Sequence, residues 1–462
     1  MNEHVVVGVD FGSSRIKAAA YLPGGEMVAL ETIDTPVHHG SDGDDFPTLD
    51  LLAAAYDVVA ALRSGPIAAV GMTSMGEVGA VLTDTGLAPV SFPAWYDDRG
   101  ADIIDDLEQR WGSAYLRDAT GRHCRTTSTV AKLGHLQAHD ETVPAGTFVG
   151  LCGALAYQLT GHAWQEAGLA ATSGVYDLIH ERYMMDLWQA AGLGHVTLAP
   201  VRPPGFSAPA AGPLSSLLGM APGAAVVIAG HDHPVASVGA GVRSGDVSDS
   251  MGTGEAIIAS LPREPAVTQA QLATSLDRDP DLSFEFWPPD GALLAVWERM
   301  RPGLAMRTFL ESSTWGRQAL EDGAAPPSAS TTFSREDLRA LQAGRRVEGH
   351  YDPLSWGTLI DAYVQLANDG DQLVRAVSGA QGVTVLTGGG LRSRRWRDAK
   401  VLLGRGPIDV STVTEAATRG CAAIAGATLG WWRTAEEMPG TTRLPVATSV
   451  EMEEIAGALR WG

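Results

Sequence analysis

The sequence predicts an α/β protein with two domains of similar construction. Its 462 residues exceed what a single hydrophobic core usually supports, so two domains are expected. One apolar strand in each half of the chain, within 5–25 and 226–260, runs into a turn rich in glycine and hydroxyl side chains. We place the boundary between Gly241 and Asp249, which gives domains 1–241 and 242–462.

Composition and charge exclude several classes of protein. The net charge of −21 disfavours nucleic acid and anionic membranes as partners. The chain holds no uncharged apolar run of the length that a membrane helix needs, and Met1–His4 has no basic start of a signal peptide. Three scattered cysteines fit reduced thiols better than a disulfide framework. We therefore expect a cytoplasmic protein that binds neither nucleic acid nor membrane.

The first strand ends on a carboxylate. Valines between Val5 and Val9 predict a buried strand that closes at Asp10, since β-branched residues favour strands. Glycine and serines follow, whose backbone amides can face an anion. The run from Ile16 to Tyr21 then predicts a second strand, which makes a hairpin rather than a P-loop. On its own, Asp10 is equally compatible with capping the turn, and Lys17 with a surface charge or a phosphate contact.

Periodicity and turn residues predict the remaining elements. Helices are expected at Asp50–Arg63, Arg99–Trp111, Pro234–Gly241, Leu359–Ser378 and Thr414–Trp432, the last rich in small residues that allow close packing. Strands are expected at Ala68–Met72, Val226–Ala229, within Ser248–Ser260 and at Val383–Leu386. A loop is expected at Pro200–Pro213, and inserted or loop-rich surface segments are expected at Pro262–Pro289 and Gly323–Tyr351.

Six segments, in order, resemble the FGGY carbohydrate kinases over nearly the full length. They read DFGSSRIKAA; GMTSMGEVGAVLTDTG with PAWYDDRG; AGHDHPVASVGAGV; DSMGTGEAII; VLTGGGLRSRRWRDAKVLLGRGPIDV; and EAATRGCAAIAGA. A single glycine-rich turn would be a weak signal, but six in register are specific. The resemblance implies two actin-like (ribonuclease H-like) α/β domains around a central cleft. It also implies transfer of the γ-phosphate of ATP to a hydroxyl of a small ketose or polyol, with Mg²⁺.

The resemblance assigns roles to individual residues. Phosphoryl transfer needs a base for the acceptor hydroxyl, Mg²⁺ on the phosphates and donors around the moving group. Asp232 matches the base, and Asp10 matches the residue that holds Mg²⁺ through water. The predicted nucleotide contacts are Ser13, Ser14 and Arg15 for the β- and γ-phosphates, Gly252, Thr253 and Gly254 on the opposite wall, and Gly388, Gly389 and Gly390 beneath the adenosine.

Four residues are predicted to face the sugar: Glu77, Trp95, Asp97 and His233. Carboxylates suit a polyhydroxylated ligand because each accepts several hydrogen bonds. The chain departs from the family's xylulose kinases, which carry Gln-Met-His where it has Met75-Gly76-Glu77; glycerol kinases share only the glutamate. His233 stands where glutamine is usual. The acceptor is therefore not expected to be xylulose, and its identity stays open.

Alternatives remain for several of these assignments. The run from His231 to His233 offers metal-ligand chemistry, and Trp95 could simply fill core. At the level of function, the alternatives are a non-catalytic sugar sensor and an actin-like phosphohydrolase. Asp10, Asp232 and the Gly252–Gly254 turn argue against the sensor, and the sugar-side segment argues against the phosphohydrolase. The sequence is compatible with a homodimer but fixes no oligomeric state.

Overall fold

The computed structural model describes residues 3–139, 143–211, 213–328, 333–349, 351–440 and 442–459. Its strands are β1 Val5–Phe11, β2 Arg15–Tyr21, β3 Met27–Asp34, β4 His38–His39, β5 Asp44–Pro47, β6 Ile67–Ser74, β7 Gly79–Thr83, β8 Gly86–Leu87, β9 Ser91–Pro93, β10 Gly146–Gly150, β11 Gln165–Glu166, β12 Tyr176–Asp177, β13 Arg182–Tyr183, β14 Val196–Leu198, β15 Val201–Arg202, β16 Ser207–Pro209, β17 Met220–His231, β18 Val247–Met251, β19 Glu255–Ser260, β20 Leu282–Phe286, β21 Leu293–Met300, β22 Thr384–Thr387, β23 Ile408–Ser411 and β24 Arg443–Val446.

Its helices are α1 Thr48–Ala61, α2 Ala101–Trp111, α3 Ser113–Thr120, α4 Thr129–His139, α5 Leu151–Thr160, α6 Ala167–Ala171, α7 Met185–Trp188, α8 Pro213–Leu217, α9 Asp232–Gly239, α10 Gln269–Leu276, α11 Pro302–Ser312, α12 Arg317–Gly323, α13 Arg335–Gln342, α14 Pro353–Ser378, α15 Arg394–Leu403, α16 Ala416–Thr428 and α17 Ser449–Leu459. Among the described residues, no helix is both long and apolar enough to cross a membrane.

The chain forms two units, and each is built from three segments. The first unit comprises Met1–Gly239, Arg263–Leu293 and Glu415–Gly440. The second comprises Ala240–Pro262, Leu294–Thr414 and Thr441–Gly462. The sequence analysis placed a single boundary between 241 and 249. The chain first passes from the first unit to the second at residues 239–240, next to that position. Two later segments belong to the first unit again.

A six-stranded sheet forms the centre of the first unit, with strand order β16-β17-β6-β1-β2-β3. The strands β17, β6 and β1 run parallel, whereas β1, β2 and β3 form an antiparallel meander. In the register of the parallel strands, Thr73 of β6 pairs with Asp10 on one side and with Gly230 on the other. The carboxyl ends of β1 and β17 therefore meet at one edge of the sheet.

Six strands of the second unit repeat this arrangement. They lie in a seven-stranded sheet, in the order β21-β19-β18-β22-β23-β24. The hairpin β18–β19 corresponds to β1–β2, the parallel strands β22 and β23 to β6 and β17, and the antiparallel edge strands β21 and β24 to β3 and β16. The similarity of the two units, expected from two turns alone, thus extends to six strands of each sheet.

Within the first unit, the helix α16 packs its backbone closely against β1, β6 and α9, as its small residues predicted. An ideal Cβ on Gly8 of β1 would lie 1.9 Å from the carbonyl oxygen of Thr418, and one on Gly71 of β6 would lie 2.2 Å from that of Cys421. A Cβ on Gly239 of α9 would lie 1.8 Å from the carbonyl oxygen of Ala416. Glycine is required at each of these contacts because any side chain would separate the backbones.

All three segments predicted as loop or loop-rich contain regular structure. The stretch 200–213 includes β15 and β16. The stretch 262–289 includes α10 and β20, and Phe284 in β20 is buried. The stretch 323–351 includes α13, whose N-cap Ser334 accepts a hydrogen bond from the backbone of Asp337; residues 329–332 and 350 of it lie outside the described residues. The sequence analysis missed these elements because short apolar runs between prolines carry too little periodicity to identify an element.

Candidate active site

Two carboxylates that are far apart in sequence converge at the edge where β1 and β17 end. Asp10 lies in β1, and Asp232 begins α9 directly after β17. Burial and the charge of Asp232 raise the pKa of Asp10 to about 7, against the opposing charge of Lys17. Lys17 faces Asp10 across the hairpin and its Nζ lies 2.7 Å from Glu415 Oε2. A raised pKa in a pair of carboxylates is typical of sites that bind cations or handle protons.

A buried ion pair between His231 and Glu285 contacts Asp232. His231 Nε2 lies 3.3 Å from Asp232 Oδ1, and His231 Nδ1 lies 2.9 Å from Glu285 Oε2. Burial alone would lower the pKa of His231, but the charges of Glu285 and Asp232 raise it to about 10. Burial would raise the pKa of Glu285, yet His231 holds it below its usual value. An imidazolium therefore lies between two carboxylates.

Glu77, predicted to face the sugar, belongs to the same electrostatic cluster. It follows β6, and burial raises its pKa to about 7. The charge of His231 lowers this pKa and the charge of Asp232 raises it. Glu77 therefore lies near enough to the His231–Asp232 pair to respond to both charges.

His233, also predicted to face the sugar, is exposed on the first turn of α9. Its backbone N–H donates to Asp232 Oδ1 at 2.7 Å, and its charge lowers the pKa of Asp10. It thus lies beside the two converging carboxylates. Because His231 Nδ1 is engaged by Glu285, His231 is committed to an ion pair rather than to the metal site that His231–His233 offered as an alternative.

Trp95 and Asp97 lie in a second cluster of the first unit. Trp95 is half-buried against the core, with its ring 5.4 Å from that of Tyr96. Asp97 accepts from Arg99 Nε at 2.9 Å and from the buried Lys132 Nζ at 3.1 Å. Burial would raise the pKa of Asp97, but these two cations lower it. Asp97 therefore has a structural role in this loop, whatever it contacts besides.

The turn after β1, which is predicted to contact phosphates, is a tight hairpin whose backbone is stabilised by hydrogen bonds. The N–H of Gly12 donates to the Arg15 carbonyl at 3.1 Å. Thr35 holds the turn through its hydroxyl, which donates to the Gly12 carbonyl at 2.7 Å, and through its N–H, which donates to the Ser14 carbonyl. Ser13 is half-buried, and Ser14 and Arg15 are exposed. The turn thus presents these polar groups on a fixed backbone.

In the second unit the turn between β18 and β19 corresponds in position to the turn between β1 and β2. Gly252 is half-buried, and Thr253 and Gly254 are exposed. An ideal Cβ on Gly303 at the start of α11 would lie 2.7 Å from the Gly252 carbonyl oxygen and 2.7 Å from Thr253 Cα. Glycine at 303 therefore allows the amino end of α11 to approach this turn.

The three glycines after β22 differ in what they do. Gly388 has φ +96°, a conformation that favours glycine, and a Cβ there would lie 2.5 Å from the Met251 carbonyl oxygen. Gly390 is packed against Trp396. A Cβ on Gly389 would have no described atom within 4 Å. Gly389 is therefore exposed backbone on which a ligand can lie.

Several charged residues of the site were missed by the sequence analysis. Lys400 of α15 is buried, and its Nζ lies 2.5 Å from both Asp249 and Glu255, which flank the Gly252–Gly254 turn. The two carboxylates raise the pKa of Lys400 despite its burial. Glu285 lies in a segment predicted to be inserted or loop-rich. Only an alternating apolar pattern, LSFEF in β20, could have indicated that this segment is a strand.

Comparison with known proteins places the chain in a family. A model of the N-terminal domain of the FGGY family of carbohydrate kinases matches residues 5–239, just over half of the chain. L-fuculokinase of Escherichia coli K12 is 22% identical over 60% of this chain, and the match spans only 59% of the fuculokinase. Autoinducer-2 kinase of Yersinia pestis is 24% identical, covering 92% of this chain and 86% of that protein.

Solved structures show the same fold. The crystal structure of xylulose kinase from Rhodospirillum rubrum superposes with a TM-score of 0.80 at 18% identity, covering 99% of both chains. Glycerol kinase from Plasmodium falciparum superposes with a TM-score of 0.74 at 12% identity, covering 99% of this chain and 97% of that one. The predicted fold class, with two actin-like α/β domains, is thereby confirmed. The chain belongs to the FGGY family of carbohydrate kinases.

Proposed function

We propose that the chain is an ATP-dependent carbohydrate kinase that transfers the γ-phosphate of ATP to a hydroxyl of a small ketose or polyol. The observation that carries this proposal is the position of Asp232. It begins α9 at the end of a buried strand, its side chain is 28% exposed, and it lies beside Asp10 and Glu77. A carboxylate that is oriented but accessible can accept a proton from a bound hydroxyl.

In the proposed reaction, Asp232 accepts the proton of the sugar hydroxyl. The hydroxyl oxygen forms a bond to the γ-phosphorus, the bond from that phosphorus to the bridging oxygen breaks, and ADP leaves. Both contacts that orient Asp232, from His231 and from the His233 N–H, fall on Oδ1. We therefore propose that Oδ2 of Asp232 is the oxygen that accepts the proton of the sugar hydroxyl. His231 and Glu285 act as positioning residues, since neither needs to touch the substrate.

Asp10 fits the predicted role of a Mg²⁺ ligand. Its buried carboxyl has a pKa raised to about 7, by burial first and by the charge of Asp232 second, and a divalent cation would offset both effects. Oxygen is the ligand that Mg²⁺ prefers. Bound there, the ion would neutralise phosphate charge. Ser13, Ser14 and Arg15 on the adjoining turn are proposed as donors to the β- and γ-phosphates.

In the second unit, the exposed Gly252–Gly254 turn and the Gly388–Gly390 segment are proposed as the second phosphate and adenosine contacts. The open space at Gly389 supports the second assignment, since a ligand can lie directly on its backbone. The buried cluster of Lys400, Asp249 and Glu255 supports the first, because it fixes both strands that flank the turn.

The acceptor is proposed to be recognised by Glu77 and His233, with Trp95 and Asp97 as further candidates. Glu77 is the best supported, because its pKa responds to the charges of His231 and Asp232. Asp97 is less well supported because Arg99 and Lys132 already occupy its oxygens. The likeness to xylulose kinases is a likeness of fold, and the sequence around Glu77 differs from theirs, so D-xylulose is not expected to be the best acceptor.

The proposal is tested in two steps. A panel of pentuloses, hexuloses and polyols, including D-xylulose and L-fuculose, is screened with ATP and Mg²⁺ for ADP release and for sugar phosphate. Asp232→Asn is then measured on the best acceptor. Loss of the base should lower kcat by about 10²–10⁴-fold, with ATP affinity by calorimetry nearly unchanged.

Asp186→Asn is the matched control, since Asp186 is an exposed carboxylate in the first turn of α7. It should keep the parental kcat. Turnover by Asp232→Asn at the parental rate would contradict the assignment of the base. Sugar binding without any phosphorylation across the panel would instead support the non-catalytic sensor.

A further inference from the structure

A cluster of two histidines and a carboxylate lies on the helices α2 and α4, apart from the residues assigned above. Asp102 of α2 and His135 and His139 of α4 each offer one ligand atom, and these atoms lie within 4.8 Å of one another. His139 Nε2 is 3.5 Å from Asp102 Oδ2. The rings of His135 and His139 are 4.4 Å apart at their centroids and tilted by 40°. The three ligand atoms are therefore close enough together to be candidates for binding one ion.

Local sequence explains how the three come together. His135 and His139 are four residues apart in a helix, which places them on one face. Gly134 precedes His135, and an ideal Cβ there would lie 3.1 Å from Ile103 Cγ2. Glycine thus lets α4 approach α2 closely at Ile103, the residue after Asp102. The close approach carries the Asp102 carboxylate to the face that displays both imidazoles.

The chemistry of this set suits a transition metal. Imidazole nitrogens with one carboxylate oxygen form common zinc sites, in which three protein ligands leave a fourth position for water. Tetrahedral bonds of about 2.0–2.2 Å place ligand atoms roughly 3.3 Å apart, close to the 3.5 Å between His139 and Asp102. Asp102 and His139 are exposed, so an ion can reach the site from solvent.

We propose that Asp102, His135 and His139 form a site for a divalent transition-metal ion, with Zn²⁺ as the expected occupant. The ion would join α2 to α4. It would be distinct from the Mg²⁺ proposed at Asp10, because Mg²⁺ prefers oxygen ligands whereas this site offers two nitrogens. The proposal is independent of the proposed kinase activity.

The full chain, freed of metal by chelation and dialysis, is titrated with Zn²⁺ by calorimetry. One equivalent is expected to bind with a micromolar or tighter Kd and to raise Tm, since a ligand that binds the folded state stabilises it. Co²⁺ should give a visible absorption band of a tetrahedral site. His139→Ala and Asp102→Asn change exposed ligands, and each is expected to weaken Zn²⁺ binding at least tenfold.

His180→Ala is the matched control. His180 is another exposed histidine beside a carboxylate, with Nδ1 2.8 Å from Asp177 Oδ2, and its removal should leave Zn²⁺ affinity and stoichiometry unchanged. The proposal is overturned if the parental protein takes up no Zn²⁺ at micromolar concentration. It is also overturned if His139→Ala and Asp102→Asn bind Zn²⁺ as the parental protein does while retaining its circular dichroism spectrum.

Discussion

At the scale of single residues, several charged side chains of the first unit are clustered next to Asp232. Glu285 is 2% exposed and His231 13% exposed, and Arg122 Nη2 lies 3.9 Å from Glu285 Oε2. Removing one partner of such a buried pair leaves the other without compensation, which is costly. The arrangement also raises the pKa of His231 far above its ordinary value. Since the pKa then differs between the folded and unfolded states, protonation of His231 is coupled to folding.

We predict that the stabilising contribution of the His231–Glu285 pair depends on pH. The pKa of His231 is about 10 in the folded protein and about 6.5 when unfolded. Because the folded-state pKa is the higher one, protonation of His231 contributes fully to the free energy of unfolding below about pH 6.5. This contribution is lost as pH rises through about 10. Glu285→Gln should lower the free energy of unfolding by about 3 kcal/mol at neutral pH.

Thermal unfolding of both proteins between pH 7 and pH 10 provides the measurement. The gap in Tm between the parental protein and Glu285→Gln should narrow as pH rises, while other groups titrate equally in both. A gap that stays constant or widens with pH would show that His231 is not held as an imidazolium.

At the scale of elements, α16 determines how closely the backbones of the first unit approach. Gly420 lies within this helix, and an ideal Cβ on it would lie 1.9 Å from the carbonyl oxygen of Val235 in α9. The neighbour is backbone, which cannot rotate away as a side chain could. Alanine at this position therefore forces α9 and α16 apart, and with them the segment that begins at Asp232.

We predict that Gly420→Ala destabilises the protein by about 1–3 kcal/mol or more, as overpacking of a close contact does. Gly457→Ala is the matched control, because Gly457 is also helical, in α17, and a Cβ there would have no described atom within 4 Å. Gly457→Ala should be neutral or stabilising by up to about 1 kcal/mol. Urea unfolding of the two variants gives the comparison, and equal stabilities would contradict the close packing of α16.

At the scale of the whole molecule, folding of the first unit depends on distant parts of the chain. The segments Arg263–Leu293 and Glu415–Gly440 belong to it, and the second contains α16. A fragment cut at the boundary expected from sequence, residues 1–241, lacks both. Its β1 and β6 would expose the apolar surface and the glycines that α16 covers.

We predict that the fragment 1–241 does not unfold cooperatively and that it binds a hydrophobic dye, whereas the full chain shows a cooperative transition. The physical reason is that burial by α16 supplies part of the core, and a smaller buried area supports less stability. Thermal melts followed by near-ultraviolet circular dichroism make the measurement. A cooperative melt of the fragment, with a native-like spectrum, would show that α16 is dispensable.

Contiguous sequence patterns were sufficient to identify the class of fold and the family. The strand that ends at Asp10, the strand before Asp232, the two hairpin turns and the small-residue helix are local features, since periodicity and glycine positions encode them in contiguous stretches. The resemblance to FGGY kinases rested on such stretches, and the family match confirmed it. The roles of Asp232, Asp10, Glu77 and the glycine turns stay predictions.

The pairing of the charged residues, in contrast, became apparent only from the folded chain. Glu285 reaches His231 across 54 positions, and Lys400 reaches Asp249 across 151. A buried charged residue produces no periodic pattern in its neighbouring sequence, so it cannot be distinguished there from a solvent-exposed charged residue. Its role is decided by which strand or helix lies opposite it, and that follows from long-range burial and backbone approach, as at Gly8 and Gly71, rather than from neighbouring residues.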